Sequence, residues 1–244
     1  MSGGAFATAE PGPLAGPCVW SIDLALTETA LAGCAAILSA EERARAARFL
    51  RPPDRTRHVA SHAALRVILG RACGRAPKNL AFTARPGGKP ALADAAGLDF
   101  NLSHSGERAL VALSPAGRIG VDVEVLRPMP DLGRVARTYF APDEAAALAA
   151  LPDSERLFAF MACWTRKEAF VKALGAGLAM PLSRFSVSLP PAPAALLRQE
   201  GKPGAWTLGH LEPGAGTVGA VAVEGAGIAV ALRALPSDWP RDLA

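Results

Sequence analysis

Strand-like and helix-like patterns are grouped along this chain, and their order restricts the fold more than any other feature. One strand pattern, at 17–24, precedes a helical region, and three more follow that region at 100–102, 109–113 and 119–125. A second helical region begins after Pro142, and strand patterns follow it. Grouped strands and grouped helices favour an α+β fold over the regular alternation that builds a parallel sheet.

Capping residues, glycines and prolines set the expected ends of these elements. Ser39 and Glu42 form a capping-box pattern, so a helix is expected from there to about Leu50, where Pro52 and Pro53 stop it. A second helix should follow from Asp54. That helix is expected over 54–69. The other expected elements are loops at 85–90 and 103–106, a helix over 153–174, and strands at 185–189, 206–208, 218–223 and 228–232.

The order of these elements repeats, which indicates two halves. We predict two pseudo-symmetric α/β halves, each a small, mainly antiparallel sheet packed with helices, with the active site between them. The predicted divisions are a flexible tail at 1–17, rich in Gly, Ala and Pro, an N-terminal half at 18–117 and a C-terminal half at 118–244.

Charge is spread unevenly over a chain whose net charge is only +4. Residues 43–78 contain ten Lys and Arg and a single acid, Asp54, so this segment carries +9 and the rest of the chain carries −5. Half of the residues are apolar, which excludes a disordered polar chain. The basic segment is either a pair of solvated helices or a face that binds phosphates or nucleic acid.

The cysteines and the apolar runs indicate the compartment. The four cysteines are far apart and form no CxxC pair, so neither a disulfide framework nor a zinc site is expected, and a reducing cytoplasm is the default. No apolar run reaches the roughly 18–20 residues that span a bilayer. The first residues lack the basic start and apolar block of a secretion signal.

The run Gly120-Val-Asp122-Val-Glu124 is the sharpest local signal. Residues two apart on a strand point to the same face, so Asp122 and Glu124 lie side by side while the valines pack on the other face. Adjacent carboxylates repel unless water screens them or a cation lies between them. The pair is therefore either the solvated face of an ordinary strand or a site for a hard divalent cation such as Mg²⁺.

The segment WTRKEAFVKALGAGL, at 164–178, is the second signal. Helical spacing places Trp164, Glu168 and Lys172 on one stripe. Glu168 and Lys172 could form only a surface ion pair, which stabilises a helix by a few tenths of a kcal/mol. A Trp on the same stripe argues that the stripe is partly shielded, so Glu168 could add a third carboxylate and Lys172 could meet a phosphate.

Ser103 and His104 lie in the third signal, FNLSHSG at 100–106. Adjacent Ser and His do not form a nucleophilic dyad by sequence alone, because triad geometry is spatial, and no GxSxG motif is present. The two residues could donate to a phosphate, or they could belong to a plain turn with an exposed histidine.

These three motifs, in this order and at these separations, resemble the Sfp-type 4′-phosphopantetheinyl transferases of the holo-acyl-carrier-protein synthase superfamily. The resemblance runs from about Leu38 to Leu189 and includes the Arg-rich helices and the GGKP loop at 87–90. Several upstream basic positions are Arg where relatives often have Lys, and nothing after residue 190 aligns. The resemblance implies a Mg²⁺-dependent transfer of phosphopantetheine from coenzyme A to a serine of an apo carrier protein, with release of adenosine 3′,5′-bisphosphate.

The resemblance also implies roles for the acidic residues. Asp122, Glu124 and Glu168 match the metal-binding acids of the family, and Lys172 matches the lysine beside the pyrophosphate. Glu168, directly or through a water molecule, is expected to take the proton of the incoming serine, and Lys172 to stabilise or protonate the leaving phosphate. Glu144 matches an acid found near the site in some relatives. A helix N-terminal acid favoured by the macrodipole explains Glu144 equally well.

Coenzyme contacts are implied for Ser103, His104 and Lys89, with His104 chiefly at the 3′-phosphate. Arg45 and Arg57 fall, by spacing, where basic residues approach the same phosphates.

The implied partners are coenzyme A and an apo acyl or peptidyl carrier protein, in polyketide or nonribosomal peptide biosynthesis. We expect a cytoplasmic monomer that binds neither nucleic acid nor membrane. The alternatives are a basic nucleic-acid-binding protein and a Mg²⁺-dependent phosphate hydrolase. The first alternative leaves the acidic motifs unexplained, and its basic segment contains a single aromatic residue, Phe49.

Overall fold

The chain is described by a computed structural model that covers residues 5–94, 97–199 and 204–243. Its strands and α-helices alternate in groups, as the sequence predicts. They are β1 Ala7–Thr8, β2 Cys18–Asp23, α1 Glu28–Ala36, α2 Ala40–Ala46, α3 Pro52–Cys73, β3 Phe82–Ala84, β4 Pro90–Leu92, β5 Asp99–Ser105, β6 Arg108–Ser114, β7 Ile119–Val125, α4 Leu132–Tyr139, α5 Pro142–Ala150, α6 Asp153–Leu174, β8 Phe185–Val187, β9 Leu196–Gln199, β10 Trp206–Leu211, β11 Thr217–Glu224 and β12 Ala231–Ala234.

Two main sheets organise these elements. The first has the strand order β1-β12-β2-β6-β5 and the second β10-β11-β7, while β3–β4 and β8–β9 form separate hairpins. The pairs of β12 with β1 and with β2 are parallel, and the other pairs are antiparallel. This confirms the α+β fold class and its mainly antiparallel sheets.

The sheets pack face to face between two long helices. Valines and other apolar residues of β2, β6, β7 and β11 form the layer between the sheets. Side chains on the outer face of the first sheet pack on α3, and those on the outer face of the second sheet pack on α6. Burial of these apolar faces is the main stabilising contribution in such a layered fold.

The two long helices match in form. Each has 22 residues, and each ends at a glycine in the left-handed conformation, Gly74 after α3 and Gly175 after α6. Glycine adopts this conformation without the steric cost that a Cβ imposes. The sheets differ, with five strands against three, and the pseudo-symmetry of the halves stays a prediction.

The C-terminal strand crosses into the other half. β12 pairs with β2 and contributes to the sheet of the N-terminal segment, and Leu243 packs against Gly33 of α1. The division at residue 117 also stays a prediction. The predicted tail at 1–17 includes β1, which pairs with β12, while residues 1–4 lie outside the described residues.

Several expected boundaries differ from the structure. The helix expected to reach Leu50 ends at Ala46, and Pro52 and Pro53 begin α3 rather than precede it, because a proline fits the first turn of a helix. The loop predicted at 103–106 is wrong, since β5 continues to Ser105. The last strand begins at Ala231, and α1 was not predicted, although Thr27 caps it.

Strands β5 and β7 are the edges at which the two sheets meet. Three side chains of β5 accept hydrogen bonds from backbone N–H groups of β7: Asp99 from Ile119 at 2.8 Å, Asn101 from Val121 at 2.9 Å and Ser105 from Val125 at 3.2 Å. Edge N–H groups that would otherwise lack partners are thereby satisfied. We call this row of contacts the β5–β7 seam.

Two further facts complete the description of the fold. Within the described ranges, no helix combines the length and the apolar character needed to cross a membrane. The four cysteines are free thiols.

We expect the seam to depend on Asp99. Its carboxylate accepts from the Lys89 ammonium at 2.5 Å as well as from Ile119 N–H, and both side chains are about 5 % exposed. Asp99→Ala leaves a buried ammonium without its counter-charge, which typically costs about 3 to 5 kcal/mol. Urea unfolding should show this loss, while Asp94→Ala, which removes an exposed partner of Arg75, should leave the stability close to that of the wild type. Equal effects of the two variants would contradict the role of the seam.

Candidate active site

Strand β7 presents its acidic residues toward α6. A Cβ at Gly120 would lie 2.1 Å from the carbonyl oxygen of Ala169 and 2.3 Å from the backbone N of Ala173, both in α6. Only glycine therefore allows this helix to lie directly on the strand. Asp122 and Glu124 follow at alternate positions and share the face of Gly120.

Helix α6 lies on this face of β7 and contributes further side chains to it. Lys172 lies one turn after Glu168, and its ammonium reaches Asp122. Trp164, one turn before Glu168, packs with Phe140 and Phe160 at ring-centroid distances of 6.3 and 6.1 Å. The predicted stripe thus has an apolar end and a polar end, and the polar end lies over β7.

Three side chains meet at the centre of the site. The Lys172 ammonium donates to Asp122 Oδ1 at 2.6 Å and to Ser103 Oγ at 3.1 Å, and Ser103 Oγ donates to the same Asp122 oxygen at 2.8 Å. Ser103 and Asp122 are buried, while Lys172 is half-buried. Residues from β5, β7 and α6, far apart in sequence, are therefore in direct contact.

Burial and neighbouring charges raise the pKa values of two acids around this centre, Glu124 and Glu168. Burial raises the pKa of Glu124 above its ordinary value of 4.5, and the charge of Asp122 adds to the effect although Ser105 donates to Glu124 at 2.8 Å. Burial likewise raises the pKa of Glu168, with further contributions from Asp122 and Glu124. The three carboxyl groups are therefore close enough for their charges to interact.

These acids have the chemistry of a hard-cation site. Asp122 Oδ2 is buried and has no hydrogen-bond partner among the described residues, so it lacks the donor or cation that a buried carboxylate oxygen needs. Oxygen-only ligands are those that Mg²⁺ prefers. As the side chains stand, no group of three or more His, Cys, Asp or Glu in the described part of the chain is arranged to hold a metal ion. The residue types fit such an ion, and Lys172 holds the other oxygen of Asp122.

The opposite side of β5 faces the basic helix α3. The ring of His104 has a lowered pKa because the surrounding protein displaces water and because Lys172 and Arg57 are close. Arg57 donates to Glu107 at 2.7 and 2.9 Å. Burial lowers the pKa of His58, and the charges of His104 and of the exposed Arg45 lower it further. The structure therefore brings the predicted phosphate-binding residues His104, Arg57 and Arg45 to one region.

Lys89 lies apart from that region. It is 7 % exposed, it bonds Asp99 and the carbonyl of Ile119 at 2.7 Å, and burial lowers its pKa. Its loop contacts the end of α6, since a Cβ at Gly87 would lie 1.9 Å from the carbonyl oxygen of Gly175. The GGKP loop and the glycines after α6 thus pack directly on each other.

Glu144, whose role the sequence leaves open, is buried at 2 % exposure. Its carboxylate pairs with Lys167 at 2.7 Å and accepts from the N–H groups of Ala141 at 2.8 Å and Val187 at 2.7 Å. The Lys167 ammonium also donates to the carbonyl of Phe185 at 2.6 Å. Both oxygens are occupied, so Glu144 joins α5, α6 and β8.

Sequence reasoning missed the residues that position the site. Asp99, Asn101 and Ser105 of the β5–β7 seam were not singled out, nor was Lys167. Polar residues at every second position of 99–105 were a usable signal, because a strand that buries polar side chains on one face must supply them with partners. Lys167 carried no such signal, since its partner lies in another helix.

Two models of known protein families match the segments of this chain that contain the site residues. A model of the 4′-phosphopantetheinyl transferase superfamily matches 118–231, and a model described as the N-terminal part of 4′-phosphopantetheinyl transferase matches 26–116. Together these matches cover every predicted site residue.

Individual relatives agree. The chain is 42% identical over 212 residues to the 4′-phosphopantetheinyl transferase HetI of Nostoc sp., covering 86% of this chain and 88% of the relative. It is 41% identical over 154 residues to a putative 4′-phosphopantetheinyl transferase of Synechocystis sp., covering 62% and 63% of the two chains. It is 31% identical over 152 residues to the 4′-phosphopantetheinyl transferase Sfp of Bacillus subtilis, covering 62% and 66%.

The raised pKa of Glu124 predicts a pH-dependent stability. Between pH 4.5 and that raised pKa, the folded chain keeps a proton that the unfolded chain has lost, so the free energy of unfolding falls as pH rises through this window. Glu124→Gln removes this loss. Urea unfolding should find the variant equal to the wild type below pH 4.5 and more stable near pH 7. The exposed control Glu155→Gln should follow the wild-type profile, and a Glu124→Gln chain that is less stable at pH 7 would contradict the prediction.

Proposed function

The chain belongs to the 4′-phosphopantetheinyl transferase superfamily, and on this premise we propose that it transfers phosphopantetheine from coenzyme A to a serine of an apo carrier protein. The proposed reaction depends on Mg²⁺ and releases adenosine 3′,5′-bisphosphate, as in Sfp-type enzymes. The observation that carries the proposal is the contact of Lys172 with Asp122 and Ser103, because it joins the three motifs in one site.

The basic region of α3 and β5 suits the anionic donor. Coenzyme A carries a pyrophosphate and a 3′-phosphate, which need cationic and hydrogen-bonding partners. We assign His104, Arg57 and Arg45 to the 3′-phosphate side, and Lys172 and Ser103 to the pyrophosphate. Lys89 would act indirectly. Through its bonds to Asp99 and to the carbonyl of Ile119 in the β5–β7 seam, it would hold the GGKP loop against the end of α6, near the bound coenzyme.

The acidic region suits the metal. Asp122, Glu124 and Glu168 would hold the ion, with the unpartnered Asp122 Oδ2 as the first ligand. When bound, Mg²⁺ neutralises negative charge on the pyrophosphate oxygens. Lys172 would then exchange its bond to Asp122 for one to phosphate, which places its positive charge beside the leaving group.

The protein's own contribution is positioning, proton transfer and charge. The serine Oγ of the carrier attacks the phosphorus nearer the pantetheine, forming an O–P bond while the bridging P–O bond of the pyrophosphate breaks. Glu168 takes the proton from that hydroxyl, directly or through a water molecule. Lys172 stabilises the departing phosphate or gives it a proton.

The acceptor is proposed only as a class. We infer an acyl or peptidyl carrier protein, in polyketide or nonribosomal peptide biosynthesis, and a cytoplasmic monomer that combines both regions in one chain. A free hydroxyl on a small protein is the group that the reaction consumes.

Mass spectrometry tests the reaction class. The purified chain is incubated with coenzyme A, Mg²⁺ and several apo carrier proteins, each beside a control in which the acceptor serine is replaced by alanine. We expect at least one carrier to gain the mass of one phosphopantetheine arm, and its serine-to-alanine form to gain none. Folded enzyme that modifies no carrier would overturn the proposal, and phosphate release without an acceptor would favour a hydrolase.

The variant Glu168→Gln tests the base. Loss of a general base typically lowers turnover by about 10² to 10⁴-fold. We expect kcat to fall by at least about 100-fold at neutral pH with the chain still folded, while the exposed Glu155→Gln on the same helix retains wild-type kcat. Mg²⁺ affinity is measured in parallel by calorimetry. Near-normal turnover with the metal still bound would exclude Glu168 as the base.

A further inference from the structure

An apolar tip protrudes where α2 ends and α3 begins. Leu50 is 98% exposed, the largest fraction among the exposed large hydrophobic residues of the described chain, and the adjacent Phe49 is 39% exposed. A fully exposed leucine places about a whole side chain of apolar surface in water, which is unfavourable by roughly 1.5–3 kcal/mol relative to burial. Such a residue, exposed between the ends of two helices, is a candidate contact residue.

Cations surround this tip. Arg45, Arg48, Arg51 and Arg55 are exposed, and their guanidinium groups make no hydrogen bond or ion pair with the described residues. Elsewhere in the same basic segment the arginines Arg57, Arg66 and Arg75 do pair with acids. The +9 charge found in the sequence is therefore uncompensated chiefly here. We call Arg48, Phe49, Leu50, Arg51 and Arg55 together the Leu50 tip.

A shallow depression of about 670 Å³ lies beside the tip. It is lined by Glu41, Ala44, Arg45, Arg48 and Phe49. A partner could therefore bury the protruding Leu50 in a pocket of its own and place one of its side chains in this depression. Arginine and aromatic residues around a small apolar centre are typical of the residues that dominate binding energy in protein interfaces.

The tip lies near the basic side of the candidate site. The ring of Phe49 lies 5.2 Å from that of His58 in α3. Helix α3 packs on β5, the strand that carries Ser103 and His104. A protein whose serine enters the site can therefore extend over the tip.

We propose that the Leu50 tip is a docking surface for the apo carrier protein, which inserts Leu50 into an apolar socket bordered by its own carboxylates. This inference rests on the proposed function, because the occupant is the acceptor of that reaction. The unpaired guanidinium groups select an acidic partner by charge complementarity. A nucleic acid would satisfy the cations but provides no dry socket for a leucine, and a membrane surface is an outcome that the experiment separates.

The experiment compares carrier affinity and coenzyme affinity in matched variants. Leu50→Ser removes the knob, and the double variant Arg48→Ala with Arg51→Ala removes two cations of the rim. Leu197→Ser is the control, since Leu197 is 64% exposed on β9. Binding of fluorescently labelled apo carriers is measured by anisotropy without coenzyme A, and KM is measured separately for the carrier and for coenzyme A.

We expect Leu50→Ser to weaken carrier binding and to raise the carrier KM by about tenfold, as for an interface residue of hot-spot strength. The KM for coenzyme A and the thermal midpoint should stay at wild-type values. The arginine variant should weaken binding and make it less sensitive to salt. Leu197→Ser should match the wild type in every measurement.

The outcomes distinguish this inference from the proposed function. Transfer with an unchanged carrier KM in Leu50→Ser, or an equal rise in the KM for coenzyme A, overturns the docking surface and leaves the function standing. Carrier binding that needs Leu50 without any transfer supports the docking surface and overturns the function. Failure of every carrier to bind overturns both. In a further outcome, the wild type sediments with phosphatidylcholine–phosphatidylserine vesicles, Leu50→Ser does not, and carrier binding is unchanged in the variant. That outcome overturns the carrier as the partner of the tip and shows that the tip binds a membrane.

Discussion

The β5–β7 seam is the constraint on which the rest of the structure depends. Two sheets meet there at their edges, and side chains of Asp99, Asn101 and Ser105 take the place of the carbonyls that a neighbouring strand would offer. Side chains at alternate positions fix the register of one strand against the other. That register puts Ser103 beside Asp122, so the same row of contacts that joins the sheets also assembles the candidate site.

The site then divides into two regions of opposite charge on either side of β5. Both His104 and Ser103 are in β5. The side chain of His104 lies on the side of α3, where arginines are frequent, and the side chain of Ser103 lies on the side of α6, where the acids of the site are found. Gly120 allows α6 to lie directly on β7, which brings Glu168 and Lys172 over Asp122. The phosphate-rich donor and the divalent cation that we propose would need these two environments side by side.

Buried ion pairs support the site without touching it. Lys89 with Asp99 joins β5 to the GGKP loop, and Lys167 with Glu144 joins α6 to α5. Each member makes further hydrogen bonds to the backbone, the condition under which a buried pair does not cost stability. By contrast, burial and neighbouring negative charges raise the pKa values of Glu124 and Glu168, and such local conflict is common where a ligand supplies the missing charge.

Some features of this protein follow from local sequence patterns, and others depend on contacts between distant parts of the chain. By itself, the sequence determined the α+β class, the strand that carries Asp122 and Glu124 on one face, and the helix that carries Glu168 and Lys172 on one stripe, because alternation and helical spacing are local properties. Only the tertiary structure decided that Ser103 bonds Asp122 and that the C-terminal strand joins the first sheet. Those outcomes depend on partners 19 residues away for Ser103 and more than 200 residues away for β12. Packing, and the need of buried polar groups for partners, bring such distant residues together.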